Sequence, residues 1–282
     1  MTAVLSGPAA VARANTNTSV NWSGYAVHRS GVKFRRISGQ WIVPTGSCLT
    51  GYQGFSAFWL GLGGYRLNSR SLEQVGTEFD CNAIGQTHLS VWYELVPAPA
   101  HTVRMTVRPG DLISARVVAR GHHVTVALTD RTQGEHFHKR VKDRHMDLTS
   151  AEWIAEAPSE CMGVASCSVL PLADFGSVNF LRAYAQSSRY KSGGIDSRHW
   201  NKTRILLANT EGRRYVSGSA PSSHAIPSRL SQRGRGFTIT YSSTGTAPGT
   251  SGASSSVAGP RARAHGASAQ IRPRIAVLSR QG

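Results

Sequence analysis

Apolar and polar positions alternate with a period of two along most of this 282-residue chain, the spacing of half-buried strands; nowhere do they hold a helical period for more than two turns. The alternation is clear in Leu72 to Phe79, where Leu72, Gln74, Gly76 and Glu78 share one face and Glu73, Val75, Thr77 and Phe79 the other. It recurs in His88 to Leu95, which sets Trp92 and Glu94 opposite Val91 and Tyr93, and in Ser150 to Glu156, which groups Glu152, Ile154 and Glu156 opposite Trp153 and Ala155. Taken alone, Ser150 to Glu156 reads most simply as an edge strand with a solvated face, because carboxylates are costly to bury. Phe58 to Leu62 reads as a buried apolar strand closing on Gly63-Gly64, where backbone can approach a ligand or a neighbouring strand. Further strands are expected near Asn21–Tyr25, Phe34–Trp41, Leu112–Val118, His123–Leu128, Phe137–Lys142, Val178–Ala183 and Phe237–Tyr241. Periodicity is weak from Gln186 to Gln232, with short strands at Arg204–Leu207 and Tyr215–Ser217. The pattern predicts an all-β fold of two packed antiparallel sheets, with the six tryptophans as core or groove wall.

Composition divides the chain. Residues 1–19 form a polar or Ala-rich lead, in which Ala12-Arg13-Ala14 resembles the end of a secretory signal although a basic start is missing; a frayed terminus is the alternative. Residues 20–243 carry the strand pattern. Residues 244–282 are rich in Gly, Ser, Ala and Arg and are expected to be a flexible tail. The formal charge of +17 is uneven, +3 over residues 1–180 and +14 over residues 181–282. The basic tail suits polyanions, but it lacks the interleaved aromatics of a nucleic-acid platform, so nucleic acid is not the expected partner. No apolar run is long enough to span a bilayer.

Cys48, Cys81, Cys161 and Cys167 allow three complete disulfide pairings and lack the spacing of a zinc site. Cys161 and Cys167 enclose a short segment consistent with a stapled loop, which would leave Cys48 with Cys81; free buried thiols are the alternative. Disulfides would suit a secreted or extracytoplasmic protein. His122-His123 and His136-x-His138 suit an exposed strand and turn better than a metal site, and no serine sits in a nucleophile elbow.

Several stretches, in order, carry a resemblance: Asn21-Trp22-Ser23-Gly24, Phe58-Trp59-Leu60-Gly61, Leu72-Glu73-Gln74-Val75-Gly76, Trp92-Tyr93-Glu94, Ala151-Glu152-Trp153-Ile154-Ala155-Glu156, Ala173-Asp174-Phe175-Gly176 and Phe237-Thr238-Ile239-Thr240-Tyr241. Across residues 20–243 the chain resembles the glutamic peptidases, or eqolisins, acid endopeptidases on a lectin-like (concanavalin-like) β-sandwich. The resemblance implies a catalytic dyad of Gln74 and Glu152, with Glu156 as the fallback carboxylate. It places Trp59, Trp92, Tyr93 and Ile154 at the cleft, with Gly76 in the glutamine motif. Two positions depart from the family: Gly63, next to Gly64, stands where fungal members have an acidic residue, and Glu78 stands where the family has Asp. The implied chemistry is metal-free and cofactor-free hydrolysis of polypeptides by a monomer. A glycoside hydrolase using paired carboxylates, or a noncatalytic carbohydrate-binding sandwich with a Trp-lined groove, are the competing readings.

Overall fold

A computed structural model describes residues 15–162, 166–188, 191–209, 222–244, 271–272 and 278–279. The front sheet runs β7 (His101–Val103), β6 (Thr87–Val96), β5 (Leu72–Cys81), β4 (Gly54–Gly63), β11 (Ser150–Glu156), β2 (Trp22–His28), β16 (Asn201–Asn209) and β1 (Asn15–Ser19). It is antiparallel except for the β1–β16 pair. The back sheet runs β10 (His136–Lys142), β9 (His123–Asp130), β8 (Leu112–Arg120), β3 (Phe34–Ile42), β14 (Ser177–Ser187), β18 (Phe237–Thr244) and β17 (Ser222–Pro227). Strand β17 also meets the end of β16, which joins the sheets at one side. A hairpin of β12 (Ser159–Met162) and β13 (Ser166–Val169) follows β11, and β15 (Ser192–Gly193) adds to β14. No helix occurs among the described residues.

The two sheets pack because alternation gives each an apolar inner face. Leu60, Val75 and Trp153 from the front meet Ile37, Trp41, Val117 and Phe180 from the back in one buried cluster. Two indoles also tie the layers by hydrogen bonds: Trp41 Nε1 donates to Thr77 Oγ1 at 3.0 Å, and Trp153 Nε1 donates to the Ser38 carbonyl at 3.0 Å. A buried N–H left without an acceptor would cost about 1–3 kcal/mol, so these contacts fix which side of each indole faces the opposite sheet. The front sheet buries apolar groups on its outer face too. Trp22, Trp59, Trp92 and Ile154 form a second cluster there, with Trp22 and Trp59 edge to face at 5.0 Å.

Four expectations need revision. Strand β11 is no edge strand: it lies between β4 and β2, and all seven of its residues are buried. Asn15–Ser19, expected to belong to the lead, forms β1 along β16. Strand β16 runs through nine residues where the weak pattern suggested four. Within the segment expected to be a flexible tail, β19 (Ile271–Arg272) pairs with β12 and β20 (Leu278–Ser279) with β1. The rest of the lead and tail, and Tyr215–Ser217, lie outside the described residues. Cys48 and Cys81 are disulfide-bonded; Cys167 is also disulfide-bonded and stands opposite Cys161 in the hairpin register.

Candidate active site

The register of the front sheet assembles the site. Glu94 on β6, Gln74 on β5, Gly61 on β4 and Glu152 on β11 lie side by side in one row across four strands. All point away from the sandwich interior, as do Trp59, Trp92 and Ile154 in the next row. Gln74 and Glu152 are two interstrand steps apart, about 9–10 Å between Cα atoms, and the residue between them has no side chain. A Cβ on Gly61 would stand 3.2 Å from the Gln74 Cβ and 2.9 Å from Leu72 Cδ1. Glycine here is required by close packing, because Leu72 and Gln74 already fill the space beside it between the amide and the carboxylate.

Gln74 and Glu152 are held differently. Gln74 Nε2 donates to Glu94 Oε2 at 2.8 Å, which fixes the orientation of the carboxamide and leaves Gln74 Oε1 without a protein donor. Glu152 is fully buried, and neither of its carboxylate oxygens meets a protein donor in hydrogen-bond geometry. Burial drives its pKa well above the usual carboxylate range. The nearby Ser150 hydroxyl opposes that shift, and Asp147 and Glu73 reinforce it. A native fold seldom leaves both oxygens of a buried carboxylate unpaired, and such a group marks a place where a ligand or a reacting water is received.

Glu156 presents the opposite case. Its Oε2 accepts from Trp59 Nε1 at 2.7 Å and its Oε1 from Asn21 Nδ2 at 3.1 Å. Burial raises its pKa to about 8 against these donors. It is two rows from Gln74, opposite Ala57 and Trp22. Its geometry is that of an anchor for the Trp59 indole, and the fallback dyad has no support. Glu78 shares the row of Ala57 and accepts from Ser90 Oγ at 2.7 Å.

The glycines serve close packing. A Cβ on Gly76 would fall 2.7 Å from the Trp59 Cβ and 2.5 Å from the Phe58 carbonyl oxygen. Gly63 and Gly64 take φ of +86° and +89° to end β4, and a Cβ on Gly63 would strike the Asp147 carbonyl at 2.3 Å. Tyr93 must be corrected. It points to the other side of β6, where it stacks on His101 at 5.0 Å and Phe137 at 5.5 Å, so it does not line the cleft. The alternation that pairs Trp92 with Glu94 already implies this. That same pairing was the available signal for Glu94, to which the sequence assigned no role; Gly61 and Asn21 stood in stretches that carry the resemblance, also without a role. His136 and His138 occupy outward positions of β10, on the other sheet.

Replacing Glu94 by Leu is expected to lower kcat about tenfold or more with little change in KM, because the Gln74 amide loses its orienting acceptor while the substrate wall stays in place. Steady-state kinetics on a short peptide would read this, and an unchanged kcat would remove Glu94 from the machinery.

Fold and site together define a β-sandwich hydrolase that pairs a carboxylate with a carboxamide on one face of a sheet. The pattern of the peptidase A4 family matches residues 20–226, and the chain belongs to that family, the eqolisin-type glutamic endopeptidases, whose mechanism uses a Gln–Glu dyad. Aspergillopepsin-2 of Aspergillus niger is 28% identical over 206 residues, covering 65% of this chain and 70% of that protein. Scytalido-glutamic peptidase, solved with a transition state analog inhibitor, shares the fold with a TM-score of 0.63 at 20% identity, over 79% of this chain and 98% of that one. SCP-B, an eqolisin-family peptidase solved with the tripeptide Ala-Ile-His, gives 0.59 at 20% identity over the same shares.

Proposed function

We propose that Glu152 and Gln74 form the dyad of an acid-working endopeptidase whose catalytic unit is residues 20–243. The observation that carries this reading is the single row Glu94–Gln74–Gly61–Glu152, in which the carboxylate whose oxygens meet no donor in hydrogen-bond geometry lies across Gly61 from the carboxamide held by Glu94. Ionised Glu152 takes a proton from a water as that water attacks the peptide carbonyl. Gln74 Oε1 orients the water, and the Nε2 hydrogen not given to Glu94 donates to the developing oxyanion. Protonated Glu152 then returns its proton to the leaving nitrogen. Burial makes ionised Glu152 a strong base but a scarce one in acid, so turnover runs on the ionised fraction and should rise with pH through the Glu152 titration until the fold is lost. No step calls for a metal or an organic cofactor. A glycoside hydrolase built on Glu152 and Glu156 would need both carboxyl groups available, and Glu156 is engaged by Trp59 and Asn21.

The lectin-like description of the sandwich, export from the cytoplasm and a monomeric state belong to the same reading, supported by family membership and the disulfides. The test is digestion of an unfolded protein between about pH 2 and 8, with and without a chelator, followed by mapping of the products. Internal cleavage in acid, insensitive to the chelator, is the expected result. Absence of cleavage at every pH by the folded protein would overturn the proposal.

A further inference from the structure

The back sheet turns its outer face away from the dyad, and that face is cationic. Strand β10 presents His136, His138, Arg140 and Lys142 outward, opposite Thr129, Ala127, Thr125 and His123 of β9. The next strands add Arg116 and Arg120 from β8 and Arg36 from β3, all exposed. The register places Arg36 beside Val118, with Arg116 and Arg120 two residues to either side of Val118 along β8 and Arg140 beside Thr125 two strands away. At the usual strand spacing and rise their Cα atoms are about 8–14 Å apart, close enough for one chain of anions to bridge the side chains. Around them lies a hollow of about 950 Å³, lined by Arg35, Arg36, Arg116, Arg120, Arg140 and His123 among others. A second hollow of about 240 Å³ shares Arg36 and Arg116 and extends the track to Arg131 and Arg182. No Asp or Glu lines either hollow.

Protection of an edge strand explains charge on β10, since edge strands use cations to discourage pairing with other chains. It does not explain Arg36 and Arg116, which sit on interior strands paired on both sides. Like charges gathered without acidic neighbours repel one another, and an anionic partner relieves that cost.

We propose that this face is a docking site for a linear polysaccharide bearing strong-acid groups such as sulfate esters. An extended track suits a polymer rather than one small anion. Among the described residues of β3, β8, β9, β10 and β14 no Phe, Tyr or Trp is exposed, so bases would find imidazoles alone as rings to stack on. Strong-acid groups keep their charge in the acidic range where carboxylates lose theirs. Because the track and the dyad are on opposite sides of the sandwich, a docked polymer does not cover the dyad, and the enzyme works while held on its support.

The experiment measures binding of fluorescent dextran sulfate to the full chain at about pH 4 and about 0.15 M salt, with uncharged dextran and poly-dT as comparators. The triple variant R36T/R116T/R140T should bind at least about tenfold more weakly and depend less on salt, while its peptidase activity on a short neutral peptide, which also reports folding, stays at the parent level. A variant with Arg261, Arg263, Arg272, Arg274 and Arg280 changed to Thr should retain most of the binding. The proposal fails if the parent does not bind, if the triple variant binds like the parent, or if the tail variant alone loses binding. Tighter binding of poly-dT than of dextran sulfate would also overturn it, making the face a nucleic-acid surface.

Discussion

Glu152→Gln should lower kcat/KM on the order of 10³–10⁴-fold, because one side chain supplies both the base for water attack and the acid for the leaving nitrogen. Gln74→Ala should cost about 10²–10³-fold, the usual effect of removing one oxyanion donor. The double variant should be little worse than Glu152→Gln, since the two groups act on one transition state. Stability separates these roles from scaffolding. Glu152 makes no protein hydrogen bond through its carboxylate, and burial keeps it protonated to higher pH; an isosteric amide therefore removes little and should leave the melting temperature in acid within a few degrees of the parent. Glu156→Gln should behave inversely. It takes away one of the two acceptor oxygens that Trp59 Nε1 and Asn21 Nδ2 use at this buried site, at a cost of about 1–3 kcal/mol. Its activity should fall no more than about tenfold, through a looser Trp59. Kinetics and thermal unfolding on the same preparations decide the matter. If Glu156→Gln lost as much activity as Glu152→Gln while melting like the parent, the catalytic carboxylate would move along β11.

Much of this site was legible because alternation assigns faces. Gln74 with Gly76, and Glu152 with Ile154, fall on common faces by counting residues, and the same count puts Tyr93 on the wrong side for the cleft that the resemblance gave it. Alternation says nothing about which strands are neighbours. Ser150 to Glu156 looks like an edge strand in isolation because two carboxylates in seven residues suggest solvent; only its pairing with β2 and β4 shows that both are buried. Gly61 illustrates the same limit. Its meaning lies in the register that sets it between Gln74 and Glu152, and the pairing with Glu152, far away in sequence, is a tertiary fact. Strand β16 was underread because Lys202 and Arg204 dilute its apolar pattern, although Thr203, Ile205 and Leu207 are buried. The partner of Glu94 could have been suspected from the face it shares with Trp92, but the bond to Gln74 required the strands to be placed side by side.

The fold should be most stable in acid and lose stability steeply as pH rises toward neutrality. Glu73, Glu78, Asp80, Glu152 and Glu156 all have proton affinities raised chiefly by burial, Asp80 and Glu156 to about 8. In the unfolded chain these groups ionise near pH 4. Between that pH and their folded values the native state holds more protons than the unfolded one, so the free energy of unfolding falls with rising pH, by about 1.4 kcal/mol per pH unit for each retained proton. Asp80 and Glu156 alone give about 3 kcal/mol per unit, against a typical total of about 5–15 kcal/mol. His28 and His123 act in the other direction: burial lowers the pKa of both, helped by Arg66 at His28 and by Arg140 and Lys142 at His123, so their contribution grows as pH rises toward about 6.5, but they are two groups against the five carboxyl groups named. Thermal unfolding followed by circular dichroism should therefore show the melting temperature dropping by about 10–20 °C between about pH 4.5 and 7. Asp80→Asn should flatten that slope by removing one of the protons, and Glu156→Gln should flatten it from a lower starting point. A melting temperature that stays level or climbs across this range would mean that the buried carboxylates ionise within the native fold. In that event the basic limb of the activity profile would report a titration in the site, whereas the present geometry makes it report the loss of the sandwich itself.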